Sequence, residues 1–248
     1  MSEIFWVTAF LDVPAASHPA ALEFWQGVTG YRVSEPRGEH LEFASLVPDG
    51  ADDHLRVQRL EDGPPRIHLD LHVPDPRVAA DRAAALGARE AVPDQGSDRG
   101  YVVMRSPGGF VFCFVSHPAS RRARPVEWAD GGRSLVDQVC LDMPEETYDE
   151  EAAFWESVTG WERRPSTGSP EFERLNPPAE QPLQFLLQRL GEPFGEVRAH
   201  LDLGCEGREA ETRRHVRLGA VVESVGEWWT VLRDPAGAAY CITDHPPR

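Results

Sequence analysis

The 248-residue sequence contains no lysine, because all 25 of its basic residues are arginines. Without a lysine amine the protein cannot form a lysine Schiff base, and it lacks the lysine of a P-loop or of a kinase. The arginines are outnumbered by 41 acidic residues, which gives a net charge of −16. A surface so acidic repels phosphate backbones and anionic lipids, so we expect no nucleic-acid partner and no membrane partner.

Cysteines and long apolar runs are also few. The four cysteines form no C-x-x-C pair, so the sequence gives no support for a zinc finger or a thioredoxin-like centre. No apolar run approaches the roughly 20 residues that cross a bilayer, and the N-terminus lacks the basic start of a signal peptide. These absences predict a cytoplasmic protein. Its length suits one large domain or two of ordinary size.

One sequence pattern occurs twice along the chain. The segment FWQGVTGY at Phe24–Tyr31 recurs as FWESVTGW at Phe154–Trp161, an offset of 130 positions (154 − 24). The motif HLDL at His68–Leu71 recurs at His200–Leu203. The turn SPGG, which begins at Ser106, corresponds to DPAG in the second copy. Because the matches keep the same order with only small insertions, they indicate a tandem duplication.

Each copy predicts a strand, a helix and three strands, and then the same order again. In the first copy the strand Phe5–Val13 precedes a helix at His18–Val28. The second cycle begins with the strand Ile67–Val73 and the Ala-rich helix Pro76–Leu86. We therefore predict an α+β protein with a first domain at residues 1–119, a linker at 120–132 and a second domain at 133–248.

These motifs resemble the vicinal oxygen chelate superfamily, which includes glyoxalases, bleomycin-resistance proteins and extradiol dioxygenases. The similarity rests on the HLDL strand before an Ala-rich helix, on the FW…VTG helix end and on the D-P-x-G turn, and it covers nearly the whole chain. It implies tandem glyoxalase-like domains, in each of which two βαβββ units form a cupped, barrel-like mixed sheet. The concave side of such a sheet holds a small-molecule ligand, often on a divalent metal.

The resemblance also assigns four strand positions in each copy to metal ligation. In this sequence they are Thr8, Gln58, His68 and Cys113 in the first copy, and Gln138, Gln188, His200 and Cys241 in the second. Cysteine stands where active members carry Glu, so none of the eight positions has a carboxylate. A catalytic divalent site needs about three protein ligands and an open position, so this set favours binding without a metal. For a metal (Zn, Ni or Fe), the better candidate is the second copy.

Further polar and aromatic side chains share strand faces with these positions. Alternation along the strands places Asp70 and His72 on the face of His68, and Asp202 on the face of His200. For the histidines a structural hydrogen bond to a neighbouring Asp or Gln is the alternative to a role in ligand binding. The strand-alternate acids Asp12, Asp70, Asp142 and Asp202 are expected to face solvent, with a ligand-facing orientation as the alternative. The full candidate ligand-binding set is Thr8, Gln58, His68, Asp70, His72, Tyr101, Cys113, Gln138, Gln188, His200, Asp202 and Trp229.

Other charged and aromatic residues also have two interpretations. Arg105 and Arg233 follow Tyr101 and Trp229 in their strands, and each is expected either to clamp an anionic ligand or to pair with a carboxylate. Helical spacing predicts that the tryptophans of the two FW motifs belong to the core. The acidic runs 145–151 and 206–211 are typical of solvated helix starts.

Two functions from different classes are open at this stage. The first is a binding protein that encloses a small organic molecule without a metal, and the acidic chain favours a cationic or neutral ligand. The second is a metal-dependent lyase, isomerase or dioxygenase that uses His200, Gln138 and Gln188. A monomer and a small homo-oligomer are both compatible with the sequence.

Overall fold

Two mixed β-sheets and four helices make up this protein in a computed structural model, which describes residues 4–92, 100–129, 132–166 and 169–248. The first sheet contains the strands of the first copy. The second sheet contains those of the second copy and one short strand from the segment between them. This arrangement confirms the predicted α+β architecture with two tandem copies.

The strands and helices follow the predicted order in both copies. The first copy contains β1 (Trp6–Pro14), α1 (His18–Thr29), β2 (Arg32–Val33), β3 (Phe43–Val47), β4 (Leu55–Leu60), β5 (Arg66–His72), α2 (Pro76–Ala85), β6 (Arg89–Glu90), β7 (Tyr101–Arg105) and β8 (Val111–Val115). After β9 (Val126–Glu127), the second copy contains β10 (Arg133–Met143), α3 (Tyr148–Thr159), β11 (Glu162–Pro165), β12 (Phe172–Asn176), β13 (Gln184–Arg189), β14 (Arg198–Cys205), α4 (Arg208–Leu218), β15 (Val221–Val225), β16 (Trp229–Arg233) and β17 (Ala239–Thr243).

The strand order shows how the βαβββ units combine. It is β2-β3-β4-β1-β5-β8-β7-β6 in the first sheet and β11-β12-β13-β10-β14-β17-β16-β15 in the second, where β9 pairs with β10. Each βαβββ unit therefore contributes four neighbouring strands to its sheet. In both sheets the first and last strands of the second βαβββ unit run parallel, β5 beside β8 and β14 beside β17. This pairing sets Asp70 opposite Cys113 and Asp202 opposite Cys241.

Local sequence signals explain where the helices begin and end. Helix α1 has a proline in its first turn and ends at Gly30, whose φ of 67° lies in the left-handed region that favours glycine. Helix α2 follows Asp75, whose carboxylate accepts hydrogen bonds from two backbone N–H groups of the first turn. Both predicted helices of the first copy agree with the observed ones to within one residue.

The chain divides into two compact units, and each unit draws on both copies. The first unit comprises Met1–Ala9, His68–Ser120 and Cys140–Ala199. The second comprises Phe10–Ile67, Arg121–Val139 and His200–Arg248. Each unit thus combines one βαβββ module of the first copy with one of the second. The domain boundaries expected from the repeat, 1–119 and 133–248, stay predictions.

The predicted linker, residues 120–132, contributes ordered contacts to the second unit, although residues 130 and 131 lie outside the described residues. Its strand β9 pairs with the start of β10. Trp128 donates its indole N–H to Ser134 Oγ at 2.8 Å, and the ring centroid lies 3.5 Å from the guanidinium carbon of Arg214. This distance is that of a cation–π contact.

The FW motif of α1 forms the aromatic core of the second unit. The rings of Phe24 and Trp25 lie 5.9 and 5.2 Å from the ring of Tyr240 on β17. The indole N–H of Trp25 donates to Asp234 Oδ2 at 2.9 Å, and burial raises the pKa of this carboxyl. The prediction that Trp25 is a core residue is confirmed. An aromatic pair from one copy and a strand and turn from the other are therefore packed together.

The FW motif of α3 plays the same part in the first unit. Its Trp155 lies 5.2 Å from the ring of Phe112 on β8 and is fully buried, as predicted. The indole N–H donates at 2.7 Å to Glu151, one turn earlier in the helix, and Glu151 also accepts from the backbone N–H of Gly108 at 2.7 Å. Burial raises the pKa of Glu151. The expectation that this part of the acidic run is solvated is therefore wrong, because the carboxylate of Glu151 accepts hydrogen bonds from Trp155 and Gly108 in the interior.

The second acidic run also sends one carboxylate into the core. Glu211 accepts hydrogen bonds from Arg214, His215 and Ser134, and all four residues are buried. Burial opposes ionisation of Glu211, but the hydrogen bonds from Arg214 and His215 outweigh it and lower its pKa to about 2. Arg214 also donates to the carbonyl oxygens of Gly27 and Val28 near the end of α1. This network stabilises α4 against α1, so the solvated interpretation is wrong for Glu211, whereas Glu206 and Glu209 are exposed as expected.

Within the described residues, the helices are all too short or too polar to span a lipid bilayer.

Because each FW motif packs against a strand of the other copy, we expect neither copy to fold alone as a monomer. Losing the environment of a buried Trp costs about 3–5 kcal/mol, a large part of the stability of a domain. Fragments 1–132 and 133–248, expressed separately, should be unfolded or self-associated by circular dichroism and size-exclusion chromatography. Mixing them during refolding should restore one folded species. A folded, monomeric single fragment with cooperative unfolding would contradict the prediction.

A buried histidine makes stability depend on pH. His54 donates from Nε2 to the carbonyl oxygen of Val136 at 3.0 Å, and its Nδ1 has no hydrogen bond within the described residues. Burial lowers the pKa of His54 from 6.5 to about 4. The unfolded chain takes up a proton at this histidine below about pH 6.5, whereas the folded protein does so only near pH 4. The stabilising contribution is therefore complete above pH 6.5 and is lost as the pH falls towards 4.

Replacing His54 by Gln tests this pH dependence, because Gln184 occupies the matching position of the second copy. Between pH 7 and pH 4 the wild type should lose about 3 kcal/mol more unfolding free energy than His54→Gln. Urea denaturation at both pH values measures the difference. His40→Gln, at an exposed position, should behave like the wild type. Equal losses in the wild type and in His54→Gln would refute the assignment.

Candidate functional site

Strand β5 presents three polar side chains on one face. His68, Asp70 and His72 alternate with Leu69 and Leu71, as the period of a strand requires, and all of them are buried. The leucines lie on the opposite face of the strand, which leaves the polar set on a face of its own. The predicted face of His68, Asp70 and His72 is therefore present in the structure.

One cysteine completes a compact group with two of these side chains. Cys113 on β8 is the direct neighbour of Asp70 in the parallel ladder. One nitrogen of His68, one carboxylate oxygen of Asp70 and Sγ of Cys113 lie within 4.8 Å of one another. All three residues belong to the first unit and all are buried. We call them the His68 cluster.

The donor atoms of the His68 cluster fit a divalent ion of the zinc class. Zinc binds imidazole nitrogen, carboxylate oxygen and thiolate sulfur at about 2.0–2.3 Å, usually in a tetrahedral arrangement. Donors in such a site lie about 3.3–3.8 Å apart, so shifts of about 1 Å would close the cluster around an ion. Three protein ligands also leave one coordination position open, as in catalytic zinc sites.

Asp70 is not among the positions that the family resemblance assigns to metal ligation. Those positions include His68 and Cys113 but no carboxylate. The structure supplies one from the residue two positions after the histidine on the same strand face. Period-two alternation places Asp70 on the face of His68, whereas its position opposite Cys113 depends on the register of β5 and β8. Burial of Asp70, together with Asp12 and Asp202, shows that the solvent-facing interpretation of these acids is wrong, whereas Asp142 is half-buried.

Thr8 and His72 form a second polar contact in the first unit. His72 Nδ1 lies 2.7 Å from the carbonyl oxygen of His117, which can only accept, so Nδ1 carries the proton. In the neutral ring Nε2 is then an acceptor, and it lies 2.9 Å from Thr8 Oγ1. The Thr8 hydroxyl therefore donates to His72. This geometry fixes both the tautomer of His72 and the rotamer of Thr8.

The second unit holds a related group around Asp202. The side-chain amide of Gln138 donates to Asp202 Oδ2, and His200 Nε2 lies 3.2 Å from Oδ1. Within the described residues, Oδ1 is buried and receives no hydrogen bond. Cys241 is the neighbour of Asp202 in the parallel ladder. Gln138, His200 and Asp202 are thus brought together, with Cys241 on the adjoining strand. The counterpart of His72 is Gly204, where a Cβ would fall 2.6 Å from His245 Nε2.

The remaining candidate residues occupy separate places. Gln188 accepts a hydrogen bond from the thiol of Cys140 at 3.6 Å in the first unit. Gln58 is half-buried on β4, opposite Phe43. Tyr101 starts β7 with 39% of its surface exposed, and Trp229 starts β16 half-buried. The exposure of Tyr101 allows contact with a ligand, whereas Gln188 is engaged by a neighbouring side chain.

The match to a known protein family occurs twice along the chain, once in each copy of the repeat. A model of the glyoxalase-like domain matches residues 8–115 and, a second time, residues 138–243. No curated protein has a sequence that matches the chain significantly. Both copies of the repeat thus match the same family separately.

Solved structures share the fold over almost the whole chain. The Mn(II)-bound glyoxalase from Novosphingobium aromaticivorans is 16% identical, with a TM-score of 0.65 over 98% of this chain and 83% of that one. An extradiol ring-cleaving dioxygenase from B. fuscum is 13% identical, with a TM-score of 0.63 over 99% and 73%. A fusion of a xylose isomerase-like TIM barrel with 4-hydroxyphenylpyruvate dioxygenase is 12% identical, with a TM-score of 0.63 over 97% of this chain. The chain spans 49% of that fusion protein. At such identities the similarity concerns the fold.

Replacing Thr8 by Val tests the contact between Thr8 and His72. Valine keeps the shape of the side chain but removes the hydroxyl that donates to the buried Nε2. We expect Thr8→Val to lower the free energy of unfolding by about 1–3 kcal/mol, the cost of withdrawing a hydrogen bond from a buried acceptor. Urea denaturation at pH 7 measures the change. Thr8→Ser retains the donor and should recover most of the loss, and equal stability of the Val and Ser variants would contradict the assigned tautomer.

Proposed function

The chain belongs to the glyoxalase-like domain family, and on this premise we propose that its first copy binds a divalent ion of the zinc class and presents it to a small organic molecule. The observation that carries the proposal is the His68 cluster, in which nitrogen, oxygen and sulfur donors lie within 4.8 Å. His68, Asp70 and Cys113 are its protein ligands in this proposal.

The donor types favour zinc over harder ions. A thiolate and an imidazole suit zinc, whereas manganese and magnesium prefer sets of oxygen ligands. The relative from N. aromaticivorans is a Mn(II)-bound glyoxalase, so the ion proposed for this chain differs from the one in that protein. Thiolate and carboxylate together balance the charge of the ion, and binding releases the thiol proton.

A zinc-class ion with an open position supplies Lewis acidity, which polarises an oxygen of a bound organic molecule or of water. The chain itself provides the shape and polarity around that position. Asp70 and Cys113 fix the ligand geometry from neighbouring strands, and burial keeps bulk water away from the donors. The hydroxyl of Thr8, held by His72, is a further polar group of the same unit. These features suit a lyase, isomerase or dioxygenase of this family.

A second candidate function is binding of a small organic molecule without a metal, and the Asp202 group supports it for the second copy. There the Gln138 amide donates to one carboxylate oxygen, so the protein already satisfies part of the hydrogen-bonding capacity of Asp202. The acid is nevertheless buried beside His200, which leaves a polar surface for a neutral or cationic ligand. A cytoplasmic location and a monomeric or small homo-oligomeric state stay predictions of the sequence.

Metal analysis of protein purified without chelators tests the proposal for the first copy. We expect about one zinc per chain, and loss of this zinc in His68→Ala, because removal of one of three ligands weakens a site strongly. Asp70→Asn, which keeps the shape of the side chain, should lower zinc affinity at least about tenfold.

His200→Ala is the matched control, because it removes the corresponding histidine of the second copy. The proposal expects this variant to retain its zinc. Absence of any bound metal after zinc is added back would refute the proposal and favour binding without a metal. Loss of zinc in His200→Ala with retention in His68→Ala would move the metal site to the second copy.

A further inference from the structure

Two arginines lie side by side at the edge of the first sheet. Arg89 on β6 is the direct antiparallel partner of Arg105 on β7, so the two side chains leave the same face of the sheet. Both residues are exposed. Like charges directly opposite each other on neighbouring strands are destabilising. Such a pair is unexpected in a chain with a net charge of −16, where acidic residues are plentiful.

Neither arginine of this pair has a carboxylate partner within the described residues. The guanidinium of Arg105 donates to the carbonyl oxygen of Gly109 at 3.2 Å. Glu90, the residue after Arg89, instead pairs with Arg77 at 2.6 Å. The described part of the chain therefore sets two arginines opposite each other on neighbouring strands, while Glu90 pairs with another residue. Five N–H donors on each group make the pair a strong potential site for an oxyanion.

In the second copy the corresponding arginine is paired with an acidic residue. Arg233 matches Arg105 and makes the same contact with a turn carbonyl, that of Gly237, at 2.9 Å. Its other nitrogen, however, pairs with Glu223 at 2.9 Å, and its cross-strand partner is Val221. Aligned on the shared LGA motif, Glu223 corresponds to Ala91 and Val221 to Arg89. The first copy therefore carries one extra arginine and lacks the acid.

The arginine pair lies on the sheet face that carries the His68 cluster. Val103 is the partner of Cys113, and Arg105 follows it two residues later on the same face. Cys113 in turn lies opposite Asp70. Strands are about 4.8 Å apart, so β7 is about 10 Å from β5, and an arginine side chain spans much of that gap. A small organic molecule can therefore contact both the arginine pair and the His68 cluster.

We infer that Arg89 and Arg105 bind the anionic end, a phosphate or carboxylate group, of the small molecule that the first copy accepts. The link to the His68 cluster rests on the proposed function, whereas the anion site itself does not. An oxyanion between the two guanidinium groups neutralises their mutual repulsion and accepts forked hydrogen bonds from both. The first copy thereby selects an anionic ligand, opposite to the choice that the net charge alone favours.

Site-resolved labelling of arginines tests the inference. Phenylglyoxal modifies free guanidinium groups, and peptide mass spectrometry gives the modification rate at each arginine of the intact protein. Inorganic phosphate and benzoate, added separately at constant ionic strength, are the probes, and they distinguish a phosphate site from a carboxylate site. At least one of them should slow modification of Arg89 and Arg105 saturably, by about threefold or more once the site is mostly occupied.

Two arginines and one variant serve as controls for this labelling. Arg233, paired with Glu223, and Arg124, which is exposed, should show no saturable protection. In Arg89→Gln the protection of Arg105 should disappear, because a single exposed guanidinium binds an anion too weakly to be occupied at the same anion concentration. Equal rates at Arg105 with and without both anions would overturn the inference, as would protection that persists unchanged in Arg89→Gln.

Repeating the labelling after removal of metal with a chelator separates this inference from the proposed function. Protection of Arg105 that survives in metal-free protein supports the anion site even if no zinc is ever found. Zinc bound at the His68 cluster without any protection of Arg105 would support the proposed function and refute the anion site.

Discussion

A buried hydrogen bond between an indole and a carboxylate organises both compact units. Trp25 donates to Asp234, and Trp155 donates to Glu151, which also holds the turn at Gly108. In each unit the tryptophan comes from one copy of the repeat, and the strand or turn that it packs against comes from the other. The polar end of the ring must be satisfied when it is buried, and the same carboxylate fixes the turn that precedes the last strand. The cysteine of each candidate site lies on that last strand.

The two copies meet this requirement with different residues. The second copy carries Asp234 in its turn, whereas the first carries Ser106 there and relies on a glutamate from α3. Duplication therefore preserved the buried acid but not its position in the sequence. The same divergence affects the polar faces. Both copies keep the histidine and aspartate of the HLDL strand, but only the first keeps an imidazole at the position of His72. The two copies therefore share one architecture but carry different polar side chains on their candidate ligand-binding faces.

Much of the fold follows from the sequence because it depends on periodicity. Repeated motifs fix the duplication, and helical spacing identifies Trp25 and Trp155 as core residues. Alternation along β5 places His68, Asp70 and His72 on one face. The buried acids were harder to recognise, because Glu151 occurs in a run of acids that individually suit an exposed helix start. Its spacing of four residues from Trp155 was the available signal.

Pairings between distant strands were beyond any single-sequence argument. That Arg89 faces Arg105, or that Cys113 faces Asp70, depends on strand register across the sheet, and short strands such as β6 carry too little pattern to fix it. The carboxylate of the His68 cluster was missed for a different reason. Positions carried over from a family describe where its ligands usually lie, and a donor two residues further along the same face falls outside that description.

The division of each compact unit between both copies has a consequence for synthesis on the ribosome. Chains emerge from the N-terminus, and domains generally fold as they are completed. Here the first unit needs Cys140–Ala199 and the second needs His200–Arg248, so neither is complete when the first copy has been translated. The nascent first copy therefore exposes the aromatic faces of α1 and β8 until the matching segments of the second copy have been synthesised.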